Sequence, residues 1–295
     1  MSIDAKARYA AAGFVALLLL SLWWPAPVVS VNRLWMHRDL PVDELSFLGR
    51  EAPSWDVVFW CVAGLFAIAV VQSGERLWPP PRFRVVFATR NDGWAIGAGI
   101  ATIAATWFFL DRPLVALAER VQSDSVDDWI RIANRLGGGM NPVLIVLFFL
   151  IAGVVYRREQ WLRYGVAMTI AGLGAGLVAQ IIKFIVGRVR PELWLGPFHY
   201  LRGSANSFPS GHTVSAFALG GVLMFASRNT PLRIVAFLLA TFVAVARVLA
   251  FRHWPSAVLA SALLSLFAAW VAYASTSAKL TETSREQPAS SIVTP

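Results

Sequence analysis

Runs of about twenty apolar residues recur along this chain, and a backbone confined to such runs has few ways to fold. A hydrocarbon core is crossed by roughly 20 apolar residues of helix. Only helices and closed barrels satisfy every peptide group there. Read on that basis, eight spans are expected, at about 9–29, 55–72, 93–110, 141–156, 164–186, 208–227, 232–250 and 254–274. Charged residues make up 15% of the 295, and apolar ones 57%. A soluble domain carries roughly 25% charge. The expected fold class is therefore all-α, a polytopic transmembrane helix bundle.

The first run has a basic start, Lys6 and Arg8, but it is long for a signal peptide. Trp23-Trp24-Pro25 also makes a poor small-residue cleavage site. It reads as a retained anchor span. The single Cys61 lies in an apolar run, allows no internal disulfide and is read as a small hydrophobe.

Charge then orients the bundle. The net charge is +9. With no nucleic-acid motif beside it, membrane topology and anionic lipid account for it better than nucleic acid. If eight spans alternate, Arg76, Arg82, Arg84 and Arg90, then Arg157, Arg158 and Arg163, then Arg228 and Arg233 share one side with the N-terminus. The positive-inside rule makes that side cytoplasmic. Lys183, Arg188, Arg190, Arg202, Arg247 and Arg252 map to the other face against the rule, which suggests that this face binds negative charge. Residues 111–140 read as a polar connection. Within it Val126, Trp129, Ile130, Ala133 and Leu136 mark an amphipathic helix along the outer interface.

Three clusters on that outer face carry the chemistry. Lys183 and Arg190 are seven residues apart, about two helical turns, so one helix would present both to the same anion. Snorkelling to headgroups is the competing reading. Pro209-Ser210-Gly211-His212 opens an apolar helix. Ser210 can cap it, and Gly211 lets backbone amides approach an anion at a helix N-terminus. A merely capped helix is the competing reading. Arg247 and His253 bracket the junction between the last two spans. A structural histidine would compete with a reactive one there.

Taken together, Lys183–x6–Arg190-Pro191, Pro209-Ser210-Gly211-His212 and Arg247–x5–His253 resemble the tripartite signature of the type 2 phosphatidic acid phosphatase superfamily. The resemblance covers roughly residues 93–275. It implies a six-span core there, to which the two spans in 1–92 are extra, while the Ser/Thr-rich, polar tail over 276–295 reads as disordered and cytoplasmic. It also implies a metal-independent enzyme without cofactors that acts on a lipid phosphate or pyrophosphate. His253 would be the nucleophile, forming a phosphohistidine. His212 would be the general acid and then the base. Lys183, Arg190, Ser210, Gly211 and Arg247 would bind the phosphate. Both imidazoles are expected to titrate near working pH. A bacterial inner membrane, with the site facing the exterior, is the expected location. The oligomeric state is not legible.

Two positions depart from the pattern. Ala246 stands where the third motif usually starts with Ser. Ala257 stands where Asp is usual, four residues beyond His253. A carboxylate at 257 would orient the imidazole and stabilise its cation. Without it, Ser256, a backbone carbonyl or water would have to hold the ring. Three explanations stay open: an active enzyme with a substitute orienter, a slow or inactive phosphate-lipid binder, and an engineered trap. A phosphotransferase that replaces water with a second lipid is a close variant of the first.

Overall fold

A computed structural model describes residues 92–138, 140–193 and 207–277. The two N-terminal spans expected within 1–91, Arg202 and the tail beyond 277 lie outside the described residues.

The described chain is a succession of helices. Helix α1 (Asp92–Ala105) runs through a π-helical turn (Thr106–Leu110) into α2 (Asp111–Arg120). Next come α3 (Asp124–Gly137), α4 (Met140–Val155), α5 (Glu159–Val186), a short 3-10 turn (Pro191–Leu193), α6 (Gly211–Ala226), α7 (Thr230–Leu249) and α8 (Pro255–Ser277). Local chemistry sets several boundaries. Ser123 Oγ accepts from Val126 N–H at 3.3 Å to cap α3. Asn229 Oδ1 accepts from Leu232 N–H at 3.1 Å to cap α7, which has Pro231 in its first turn. Helix α5 stops at Gly187, whose φ of 55° lies in the left-handed region where a side chain is strained.

Four of these segments, 93–120, 159–186, 230–249 and 255–276, are long and apolar enough to cross a membrane, and the bent pair 124–137 and 141–155 makes a fifth if it counts as one span. Helix α6 is apolar but shorter, at 16 residues. The chain is an integral membrane protein with a polytopic helical bundle. The expected boundary at 110 is corrected: residues 111–120 are not a connection but continue the helix begun at 92. Leu114, Val115, Leu117 and Ala118 prolong the apolar run enough to sustain it.

Helix α6 sits at the centre, packed on α8, α7 and α5. Its small residues let neighbours come close. A methyl on Gly221 would lie 2.8 Å from Ala269 Cβ, and one on Gly220 3.1 Å from the Ala236 carbonyl oxygen. Such small-residue contacts suit helices with no hydrophobic drive to associate within lipid. Val146, Leu150, Met168, Ala218 and Val222 fill the core between α4, α5 and α6. Leu177, Phe184, Leu238, Phe108 and Phe109 face outward, as a lipid-contacting surface requires. The C-termini of α5 and α7 meet the N-termini of α6 and α8 at one end of the bundle.

Candidate active site

That shared end holds every residue singled out by the three clusters. Lys183 lies in the last turn of α5. Its ammonium stands over Gly211, where a methyl would be 3.7 Å from Nζ. Arg190 is not on α5. The helix ends before it at Gly187, so the expected two-turn stack of Lys183 and Arg190 is corrected: the pair is brought together by the chain's reversal after α5, not by helical spacing. Gly187 ends the helix four residues before Pro191.

Ser210 occupies the N-cap position of α6 with extended backbone angles, but its side chain caps no amide. Its hydroxyl accepts from Thr213 Oγ1 at 3.0 Å, and its N–H donates to Ser261 Oγ at 2.7 Å. The expected side-chain cap is therefore corrected to a buried link from α6 to α8. His212 follows in the first turn. The charges of Arg247, Lys183, Arg190 and Arg252 all bear on its imidazole.

Arg247 is buried in the last turn of α7. Its Nη1 donates to Asn134 Oδ1 of α3, and its carbonyl accepts from His253 N–H at 3.2 Å. His253 is 5% exposed and lies just before α8. Its Nδ1 is 2.7 Å from the Ser207 carbonyl oxygen. A carbonyl only accepts, so in the neutral ring Nδ1 carries the proton and Nε2 keeps its lone pair. Burial, reinforced by Arg247, then Lys183 and Arg190, holds His253 well below the ordinary imidazole pKa, and the Ser207 hydrogen bond opposes this. The expectation that this ring titrates near working pH is corrected accordingly. Cations on every side and little water disfavour a second proton.

Several residues here went unremarked in the sequence. Glu192 sits between Arg252, at 2.9 Å, and Arg190, at 3.7 Å. Burial raises its carboxyl pKa against the pull of those arginines. Gly138 faces the other imidazole: a methyl there would lie 2.5 Å from His212 Nε2. Asp111 is 1% exposed and pairs with Arg188 at 2.8 Å. A carboxylate inside an apolar stretch was the signal for Asp111. Asn134 gave none, because its partner is 113 positions away.

Residues 160–280 match the family model described as the PAP2 superfamily. The matched segment contains all nine residues named in the three clusters. The chain is also similar to a lipid A 1-phosphatase of Porphyromonas gingivalis, with 28% identity over 177 residues, 55% of this chain. The chain spans 37% of that relative's length. Among solved structures, it resembles Aquifex aeolicus LpxE with a TM-score of 0.46 and 23% identity, covering 56% of this chain and 95% of that one. It also resembles a PAP2-type phosphatidylglycerolphosphate phosphatase from Bacillus subtilis, with a TM-score of 0.46 and 19% identity, covering 72% and 93%.

Proposed function

We propose that this chain is a membrane phosphatase that removes phosphate from a lipid phosphate or pyrophosphate at the outer face, through a phosphohistidine. One observation carries the reading: Lys183, whose ammonium stands over Gly211 beside His212, and Arg247, whose carbonyl holds the His253 N–H, meet Arg190 and both imidazoles at one end of the bundle, and the Ser207 carbonyl on Nδ1 leaves His253 its Nε2 lone pair.

In this mechanism the cations gather the phosphoryl oxygens. Phosphoryl transfer depends mainly on positioning and charge stabilisation. Three fixed cations beside the Gly211 amide fill the role that metal ions fill elsewhere, which supports a metal-independent reaction. His253 Nε2 attacks phosphorus, the P–N bond forms, and the bond to the lipid oxygen breaks. His212, protonated in the presence of the anionic substrate, gives its proton to that oxygen. Water then attacks the phosphohistidine, His212 takes the proton back, and phosphate leaves with His253 restored. For a pyrophosphate substrate the leaving group is the lipid monophosphate.

The similarity to a lipid A 1-phosphatase supports lipid A or a similar phosphorylated glycolipid as the first substrate to try. Ala257 favours the second reading, a phosphate-lipid binder without turnover. Its methyl is buried and offers no acceptor. Against it stands the Ser207 carbonyl, a backbone orienter of the kind an active site would need at this position.

The deciding experiment is phosphate release by purified protein from a panel of lipid phosphates and pyrophosphates, with and without a chelator. His253→Ala should abolish release. His212→Ala should lower it by about 10²–10⁴, the usual worth of a general acid–base. No release from any lipid, or equal release by His253→Ala, rejects the enzyme. Loss of activity with chelator rejects metal independence.

A further inference from the structure

The hydrogen bond that orients His253 does not stand alone. Ser207, whose carbonyl holds Nδ1, donates its own N–H to the Arg188 carbonyl at 2.7 Å. The Arg188 guanidinium reaches Asp111 Oδ2 at 2.8 Å and Ser256 Oγ at 2.9 Å. It lies 3.6 Å from the ring centroid of Trp107 and 4.6 Å from that of Trp254. Trp254, the residue after His253, donates its indole N–H to the Val189 carbonyl at 2.8 Å. Asp111 closes the circuit from the other side: Oδ1 accepts from Ser256 N–H at 2.8 Å, and Oδ2 from Ser256 Oγ at 2.6 Å.

Trp254 and Ser256, which follow His253, are thus tied to the same short segment, 188–189, that holds Ser207. We propose that Asp111 is the positioning carboxylate for His253, acting through Arg188 and Ser256 from a different helix to fix the Ser207 carbonyl against Nδ1. Position 257 then needs no carboxylate. An Asp at 257 would be expected to act on the ring itself. Asp111 instead fixes the frame on which both the ring and its acceptor are mounted. Its two oxygens meet a guanidinium, an amide and a hydroxyl, so the carboxylate itself is satisfied in a buried site that would otherwise disfavour it.

The inference rests on the phosphatase reading for its effect on rate, but not for its effect on the ring. The test is Asp111→Asn in the full chain in detergent, with Asp111→Ala and Ser256→Ala beside it. Two quantities are followed. The first is the tautomer of His253, read by nitrogen NMR of protein labelled at histidine. The chain has four histidines, and His253→Gln assigns the signal. The second is the split between kcat and KM on the best lipid of the panel.

Wild type should show one tautomer, with Nδ1 protonated. Asp111→Asn should give a mixture and lower kcat by about 10- to 100-fold, the range seen when outer partners of orienting histidines are lost, with KM within about twofold. Asp111→Ala should go further. Ser256→Ala, which leaves the Asp111–Arg188 pair in place, should move both quantities the same way by less, and it decides the matter if the Asp111 variants do not fold. An unchanged single tautomer in a folded variant overturns the inference, as does a loss confined to KM. If wild type releases no phosphate, the enzyme reading falls and the ring signal alone judges this one.

Discussion

At the scale of single residues, the proposed chemistry turns on keeping one imidazole neutral among cations. His253 has its pKa depressed by burial and by Arg247, so the unfolded chain binds a proton that the folded chain refuses. Where the unfolded state holds more protons, stability rises with pH. The contribution of His253 is therefore fully present above the unfolded imidazole pKa of about 6.5, and it is lost as pH falls through that value toward the folded one. Thermal melts in detergent should show wild type losing more stability than His253→Gln below about pH 6.5. Equal losses would mean that His253 is not held neutral. Ala257→Asp belongs to the same argument. With Nδ1 already engaged by Ser207 and position 257 fully buried, a new carboxylate gains no free ring N–H and must be desolvated. Phosphate release should stay level or fall; a clear increase would mean that the ring lacks an orienter. The residue types of the site were readable from their spacing. The orienter was not, because a backbone carbonyl leaves no mark in a sequence and Ser207 is 46 positions from its partner.

At the scale of elements, α3 is more than a connector. Its apolar face, Ile130 and Ala133, packs on Ala246 and Ala250 beside the site, and Trp129 meets Phe242 edge-on at 5.9 Å. The periodicity that marked this helix was legible, since it rests on local spacing alone. What the helix carries to the site was not: Asn134 to Arg247, and Gly138 to His212. The reverse error arose at Arg190. A seven-residue spacing implies one helix face only if the helix continues, and Gly187 ends it. Gly138→Ala tests the role of α3. A methyl there would lie 2.5 Å from His212 Nε2 and 2.7 Å from the Asn134 carbonyl oxygen, so the imidazole and the end of α3 must both shift. Phosphate release should drop about tenfold or more, since small misplacements at a reacting centre are costly. A normal rate would remove α3 from the site wall.

At the scale of the whole molecule, the two ends of the bundle differ in kind. One end gathers Lys183, Arg188, Arg190, Arg247 and Arg252 around two imidazoles. The other carries Arg157 and Arg158 on the α4–α5 turn, Arg228 on the α6–α7 turn and Arg233 in the first turn of α7. Both ends are basic, so the positive-inside rule decides only if the site's cations are set aside as functional. The burial of Arg247, and the half-burial of Lys183, Arg188, Arg190 and Arg252 beside the two imidazoles, is the reason to do so. The turn between α2 and α3 belongs to the site end, because Gln122 Nε2 donates to the Leu249 carbonyl at 2.9 Å. Val121 in that turn and Thr230 at the start of α7 are both exposed and lie at opposite ends. In a Cys61→Ser background, which removes the single native thiol, Val121→Cys should react with a membrane-impermeant maleimide on intact spheroplasts. Thr230→Cys should react only after the membrane is opened. The reverse pattern would turn the site toward the cytoplasm. The substrate would then have to come from the inner leaflet, and the arginines at the α4–α5 and α6–α7 turns would be the ones that disobey the charge rule.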